Sequence, residues 1–108
     1  MAVRLITDDP IARAFELFGD RWTLQIVREV FRGTRRFGRL QRRLGIARTV
    51  LSARLALLVE HGILERERYH RDPDWFEYRL TARGRALYPA IAALGRWADE
   101  HLPEQRAS

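Results

Sequence analysis

The sequence predicts a mainly helical α+β domain, in which four short helices precede a single β-hairpin and a last helix closes the chain. Three observations carry this. Apolar residues recur at helical spacing in four stretches, closed by Gly19, Gly33, Gly45 and Gly62. Two runs of strand character, 63–69 and 75–80, flank the turn-forming segment His70-Arg71-Asp72-Pro73-Asp74. A final helical pattern begins at Thr81 and fades near Leu102. With 108 residues and 46% hydrophobic content, the chain can fill one core and no more. Residues 10–102 are read as that domain, 1–9 as an N-terminal arm and 103–108 as a tail.

Taken in order, Pro10 suits the first turn of helix one, where its missing N–H is harmless, and Ile11, Ala14, Phe15 and Phe18 follow on one stripe. Asp20 is a good N-cap for helix two, whose apolar surface is broad: Trp22, Leu24, Ile26, Val27, Val30 and Phe31. Arg35 to Phe37 reads as a brief extended piece. Leu40 and Leu44 then give a short helix three that stops at Gly45. Gly45-Ile46-Ala47 joins it to helix four, in which Ile46, Leu51, Leu55, Leu58 and Val59 keep the helical period. Two helices joined by three residues including a glycine form a helix-turn-helix pattern, and a hairpin directly after the second of them is a wing. Glu65, Arg66, Glu67 and Arg68 alternate along the first strand, where charge pairs to Glu77 or Arg79 can form. Thr81 caps the last helix, which carries Leu87, Ile91, Leu94 and Trp97; Pro89 should kink or break it near Tyr88. The fold class is therefore a winged helix-turn-helix with a two-stranded wing and flanking terminal helices.

Charge points to a partner. All 20 basic residues are arginine, and the formal net charge is +6. From Arg28 to Arg54 there are nine arginines against one acid, Glu29, a local net charge of +8 that leaves −2 for the rest. An excess so confined is the footprint of a polyanion binder, although a solvated arginine face is the plainer alternative. A membrane surface fits less well, because the basic run lacks a large apolar face, and no stretch has the roughly 20 apolar residues of a span. With no signal-peptide core at the N-terminus, a cytoplasmic location is expected. The chain has no cysteine, which excludes disulfides, thiolate metal sites and thiol switches.

Several blocks combine into a recognisable order: Gly19-Asp20-Arg21-Trp22-Thr23-Leu24, Gly33 with Arg36-Phe37, Leu40-Gln41-Arg42, Gly45-Ile46, Leu51-Ser52-Ala53-Arg54-Leu55, Gly62-Ile63-Leu64, Glu77-Tyr78-Arg79-Leu80-Thr81, Gly84 and Trp97. In order and spacing, from about Pro10 to Trp97, the chain resembles the HxlR-type family of bacterial winged-helix regulators. The resemblance implies a homodimer built by the first and last helices, helix four in the major groove, and a wing along the backbone or minor groove. The chain departs from the family at two positions. Asp9 stands where many members carry a cysteine, and Ala47 where the recognition helix often opens with a small polar residue such as serine.

On helix four, Arg48, Thr49, Ser52 and Ala53 lie between the apolar positions near the N-terminal end, so they are the candidates for base readout. Arg35, Arg36, Arg39, Arg42, Arg43 and Arg54 flank the motif and suit phosphates. Arg36 and Arg54 can alternatively brace the fold through Glu29 or Glu60. His70 and Arg71 at the wing tip can reach a minor groove. Trp22, Phe37 and Tyr78 recur in apolar patterns and are read as core. Phe15, Phe18, Leu87, Ile91, Leu94 and Trp97 exceed what one small core hides and are read as a dimer interface, a ligand pocket between helices being the alternative.

The function expected is a sequence-specific regulator, a repressor, binding an inverted repeat in double-stranded DNA as a homodimer. A winged-helix module for protein or RNA is the competing reading. A small-molecule effector remains open as a further partner, and no cofactor is indicated. Enzyme activity is not expected: His61, His70 and His101 lack metal-ligand spacing, and no glycine-rich phosphate loop or nucleophile set is present.

Overall fold

The computed structural model describes residues 9–68, 76–102 and Glu104. Its elements are α1 (Pro10–Phe18), α2 (Thr23–Phe31), α3 (Phe37–Leu44), α4 (Arg48–Glu60), β1 (Leu64–Arg68), β2 (Phe76–Leu80), α5 (Ala82–Arg85) and α6 (Tyr88–His101).

Side chains define the helix starts much as the sequence suggests. Asp9 caps α1 by accepting a hydrogen bond from the Ile11 N–H at 3.1 Å, with Pro10 following in the first turn. Asp20 serves α2 from three residues ahead of its first residue. One carboxylate oxygen accepts from the backbone N–H of Trp22 (2.8 Å) and of Thr23 (3.0 Å), and the other accepts from the Thr23 hydroxyl. Helix α2 consequently begins at Thr23, and Trp22 sits half-buried at its mouth. Ala47 offers no side-chain oxygen at the start of α4. Gly45 closes α3 in the left-handed conformation (φ 66°), which its lack of a Cβ permits, and turns the chain into α4 within three residues.

The core is made where these elements meet. Ile26, Val27 and Val30 of α2, Leu40 of α3, and Leu51, Leu55 and Leu58 of α4 are buried together with Ile46, Ile63, Leu64 and Tyr78. Trp22 and Phe37 pack against this core half-buried, which refines their sequence reading. Val59 departs from its expected place in the core: it is 37% exposed. Helix α2 thus forms the central rod on which α3 and α4 lie.

Strands β1 and β2 pair antiparallel in the register Leu64↔Leu80, Arg66↔Tyr78 and Arg68↔Phe76. Because side chains alternate, Leu64, Arg66 and Arg68 share the inner face with Phe76, Tyr78 and Leu80, leaving Glu65, Glu67, Glu77 and Arg79 outside. The expected cross-strand pair forms on the diagonal. Arg79 lies 2.9 Å from Glu67 and 3.9 Å from Glu77, offsetting the repulsion between two glutamates that face each other. The extended piece before α3 is also present: Arg36 bridges to Glu77, and the Tyr78 N–H donates to the Arg35 carbonyl at 2.8 Å. Phe37, expected in that extended piece, instead opens α3.

The last helical run is broken, as Pro89 requires. Thr81 caps α5 through its hydroxyl, which accepts from the Gly84 N–H at 3.0 Å, and α6 begins at Tyr88 with Pro89 in its first turn. The Tyr88 ring meets Phe31 edge-on at 5.4 Å, seating the start of α6 against the end of α2. No residue of α1 or α6 is buried. All of the arm except Asp9, the wing tip with His70 and Arg71, and all of the tail except Glu104 fall outside the described residues.

Candidate nucleic-acid interface

Helix α4 has two distinct sides. Leu51, Leu55 and Leu58 face the core, while Thr49, Ser52, Ala53 and Ala56 are exposed away from them and Arg48 is exposed at the first turn, on the face that Leu55 continues. The four candidate readout residues are therefore all exposed within the first two turns of the helix. The Arg48 guanidinium lies over the Phe37 ring, 5.1 Å from its centroid, so the side chain is held against α3.

The candidate phosphate residues separate into two groups. Arg35, Arg39 and Arg42 are exposed and form no ion pair with any described residue. Arg36, Arg43 and Arg54 each meet a carboxylate. Arg36 lies 3.9 Å from Glu77, and Arg54 lies 3.5 Å from Asp20. The expected braces, Glu29 and Glu60, are thus replaced by Glu77 and Asp20 for these two arginines. Glu29 takes Arg43 instead, whose Nε donates to it at 3.0 Å.

These contacts brace the motif. Glu29 is a buried carboxylate near the end of α2 that also accepts from the Thr34 hydroxyl at 3.1 Å and faces Arg32 at 3.4 Å. Burial pushes its pKa up, but the hydrogen bonds from Arg43 and Thr34 and the charges of Arg43 and Arg32 outweigh that and hold it below the usual carboxylate range. At the other end of α2, burial raises the Asp20 pKa. The Thr23 hydroxyl, the N–H groups of Trp22 and Thr23 and the Arg54 charge together lower it further than burial lifts it. One carboxylate at each end of α2 therefore grips one helix of the motif: Asp20 holds α4 through Arg54, and Glu29 holds α3 through Arg43.

Between α3, α4 and the inner face of the hairpin runs a groove of about 910 Å³. Arg36, Arg39, Arg42, Arg48 and Ser52 line it from the helices. Arg66, Phe76, Val59 and Glu60 line it too, though the sequence did not mark them as site residues. Arg66 lies 4.2 Å from the Phe76 ring centroid. The signal for it was present in the strand alternation, which puts Arg66 on the face of Leu64, but showing that this face continues past the core into the groove required the packed hairpin. Phe18, Leu87 and Ile91, candidates for a subunit interface, lie partly against the core of their own chain. Phe15, Leu94 and Trp97 are more than half exposed.

A helix-turn-helix followed directly by a β-hairpin defines the winged helix-turn-helix class. The chain belongs to the HxlR-like helix-turn-helix family, whose model matches residues 17–106. It is 55% identical over 95 residues to an uncharacterized HTH-type transcriptional regulator of Mycobacterium tuberculosis, an alignment covering 88% of this chain and 60% of that relative. The chain thus spans about 60% of that relative's length. Among solved structures it is similar to PA1607, with a TM-score of 0.81, 39% identity and coverage of 93% of this chain and 71% of the other. It is also similar to the redox regulator HypR in its reduced form, with a TM-score of 0.80, 28% identity and coverage of 88% and 95%.

Proposed function

We propose that this chain is a sequence-specific double-stranded DNA-binding transcriptional regulator, a cytoplasmic repressor that occupies an inverted-repeat operator as a homodimer. One observation carries the reading: Arg48, Thr49, Ser52 and Ala53 are all exposed in the first two turns of α4, and Arg48 and Ser52 line a groove shared with several arginines. Arginine, threonine and serine at the N-terminal end of such a helix can bond to base edges, and the alanine can pack against a thymine methyl. Arg35, Arg39 and Arg42 add charge for phosphates, where it contributes affinity more than discrimination.

Dimerisation is supported by the terminal helices. Ile11 and Phe15 on α1, with Tyr88, Leu94 and Trp97 on α6 and Leu102 just beyond it, are 52–63% exposed, large apolar side chains that a two-fold partner would cover. Two-fold pairing would set the recognition helices about one helical turn of DNA apart, so the operator would be an inverted repeat. Repression would follow from steric cover of a promoter by this dimer. HypR is named a redox regulator, whereas the present sequence holds no cysteine, so a signal reaching this chain would act through other chemistry.

The test is selection of bound duplexes from a random pool, followed by titration of the selected site at increasing salt. A palindromic consensus, with affinity falling steeply as salt rises, is expected. Recovery of no duplex, or equal binding of all sequences at low salt, would overturn the reading and favour a protein- or RNA-binding module. A reporter carrying the selected operator across its promoter should lose output when the protein is expressed; increased output would refute repression.

A further inference from the structure

We propose that Asp20 and Arg54 are positioning residues for base readout: their ion pair sets the roll of α4 about its own axis, and with it the discrimination between DNA sequences, without either side chain touching the duplex. The role rests on the DNA-binding reading above and adds to it a pair outside the readout set.

Roll is the freedom that the core restrains least. Leu51, Leu55 and Leu58 seat α4 by burial, which is strong but non-directional. The start of the helix has no polar fastening, since Ala47 supplies no side-chain cap. Two contacts flank the buried leucines instead. With 3.6 residues per turn, Arg48 and Arg54, which stand three positions before and after Leu51, lie about 60° to either side of it. Arg48 rests on Phe37 of α3 on one flank, and Arg54 meets Asp20 at 3.5 Å on the other. Among the described residues this is the one ion pair that α4 makes.

Asp20 is itself held in place. Its carboxylate takes the N–H groups of Trp22 and Thr23 and the hydroxyl of Thr23, a fully buried residue. Gly19 ahead of it has no room for a side chain, because a Cβ there would run into the Phe15 carbonyl. The Asp20 charge is therefore a fixed point against which Arg54 is drawn. Stability accounts poorly for the pair. The Arg54 Nε is buried without a hydrogen-bond partner, so that part of the guanidinium loses water and gains no bond. An apolar pair of the same shape often serves stability as well, whereas charges can fix one arrangement among several. The lever is sensitive: side-chain tips lie about 5–6 Å from a helix axis, so a roll of about 10° carries Thr49, Ser52 and Ala53 about 1 Å sideways. Hydrogen bonds to base edges weaken steeply with such a shift, while phosphate contacts, which carry no sequence information, leave affinity for DNA in general.

The test measures affinity of the full chain for its selected operator and for a scrambled duplex of equal length, by anisotropy at several salt concentrations, with thermal midpoints alongside. Asp20→Asn keeps an oxygen for the N–H groups of Trp22 and Thr23 but removes the charge, and Arg54→Gln removes the other half of the pair. Each should lower the operator-to-scrambled ratio by about ten-fold, the scale of one lost base contact. The double variant should lose no more than either alone, and Arg54→Lys, which keeps the charge, should retain most of the ratio. Net charge by itself moves scrambled-duplex affinity in opposite directions for Asp20→Asn and Arg54→Gln, so a ratio that falls in both is not a charge effect. A lowered thermal midpoint with an unchanged ratio makes the pair merely structural and overturns the proposal. So do additive losses in the double variant, or an Arg54→Gln loss that is equal on both duplexes with a salt slope smaller by about one, the mark of a phosphate contact. Should Asp20→Asn fail to fold, Arg54→Gln against Arg54→Lys decides: a ratio lost with glutamine and kept with lysine supports the role, and equal ratios overturn it. If the unmodified chain does not tell operator from scrambled duplex, the DNA-binding reading fails and the positioning role falls with it; if it discriminates and the variants discriminate equally, the positioning role fails alone.

Discussion

The brace at the end of α2 can be tested by a double-mutant cycle on Glu29 and Arg43. Glu29 is 5% exposed and takes hydrogen bonds from Arg43 at 3.0 Å and Thr34 at 3.1 Å, with Arg32 at 3.4 Å. A hydrogen bond to a charged group contributes about 1.5–3 kcal/mol, and breaking a fully buried pair costs about 3–5 kcal/mol. Here the arginine side chains are roughly half exposed, so water screens them and the lower values apply. Glu29→Ala removes all three contacts and is expected to cost about 2–3 kcal/mol. Arg43→Ala leaves the carboxylate with Thr34 and Arg32 and opens it to water, for about 1 kcal/mol. The double variant should fall short of the sum of the two by about 1 kcal/mol, the coupling of the pair. Urea unfolding at a fixed protein concentration measures each value, since the proposed dimer would make stability depend on concentration. Additive losses, or an Arg43→Ala cost equal to that of Glu29→Ala, would refute the view that Glu29 is the hub joining α3 to α2.

Four further expectations follow from the same geometry. Arg48→Ala should cost about 1–3 kcal/mol at the preferred operator and flatten discrimination between sites, whereas Arg39→Ala should weaken all sites alike and reduce the salt slope by about one; competition anisotropy separates the two patterns. Phe15→Arg combined with Trp97→Arg should shift the protein to monomer in light scattering, because each places a charge on an apolar face that is exposed in one chain. Gly84→Ala should unfold or severely destabilise the domain, since a Cβ there would lie 2.2 Å from the Ile63 carbonyl oxygen, a backbone atom with little freedom to retreat; circular dichroism reports the loss. Acid should destabilise the fold through Glu29 and Asp20. Their folded pKa values lie below the ordinary 4.5 and 3.8, so their contribution is complete above those values and is lost as pH falls through the lower folded ones. Thermal midpoints recorded from pH 6 down to pH 2.5 should show that decline, and Glu29→Gln should flatten it.

Much of the site could be read along the chain because its signals are local. The helical period separates Leu51, Leu55 and Leu58 from Thr49, Ser52 and Ala53 with no knowledge of the rest of the fold, since facing on a helix follows from spacing alone. Gly45 marks the turn for the same reason: its left-handed conformation is a property of one residue. The break ahead of α6 follows from Pro89, which cannot complete a helical hydrogen bond. The sequence by itself therefore determined the order of helices and hairpin and which face of α4 is open.

Pairing between distant charges is a different kind of fact. Nine arginines between Arg28 and Arg54 are nearly interchangeable in sequence, yet packing gives Arg43 to Glu29, Arg54 to Asp20 and Arg36 to Glu77, leaving Arg39 and Arg42 open. Long flexible side chains can reach several acids, and the choice depends on where α2, α3 and β2 come to rest. The groove is likewise tertiary: Arg66 and Phe76 join Arg48 and Phe37 only because the hairpin folds its inner face toward α4. Spacing fixes what one element presents to its surroundings, and the packing of separate elements decides which charges are neutralised and which remain to meet a partner.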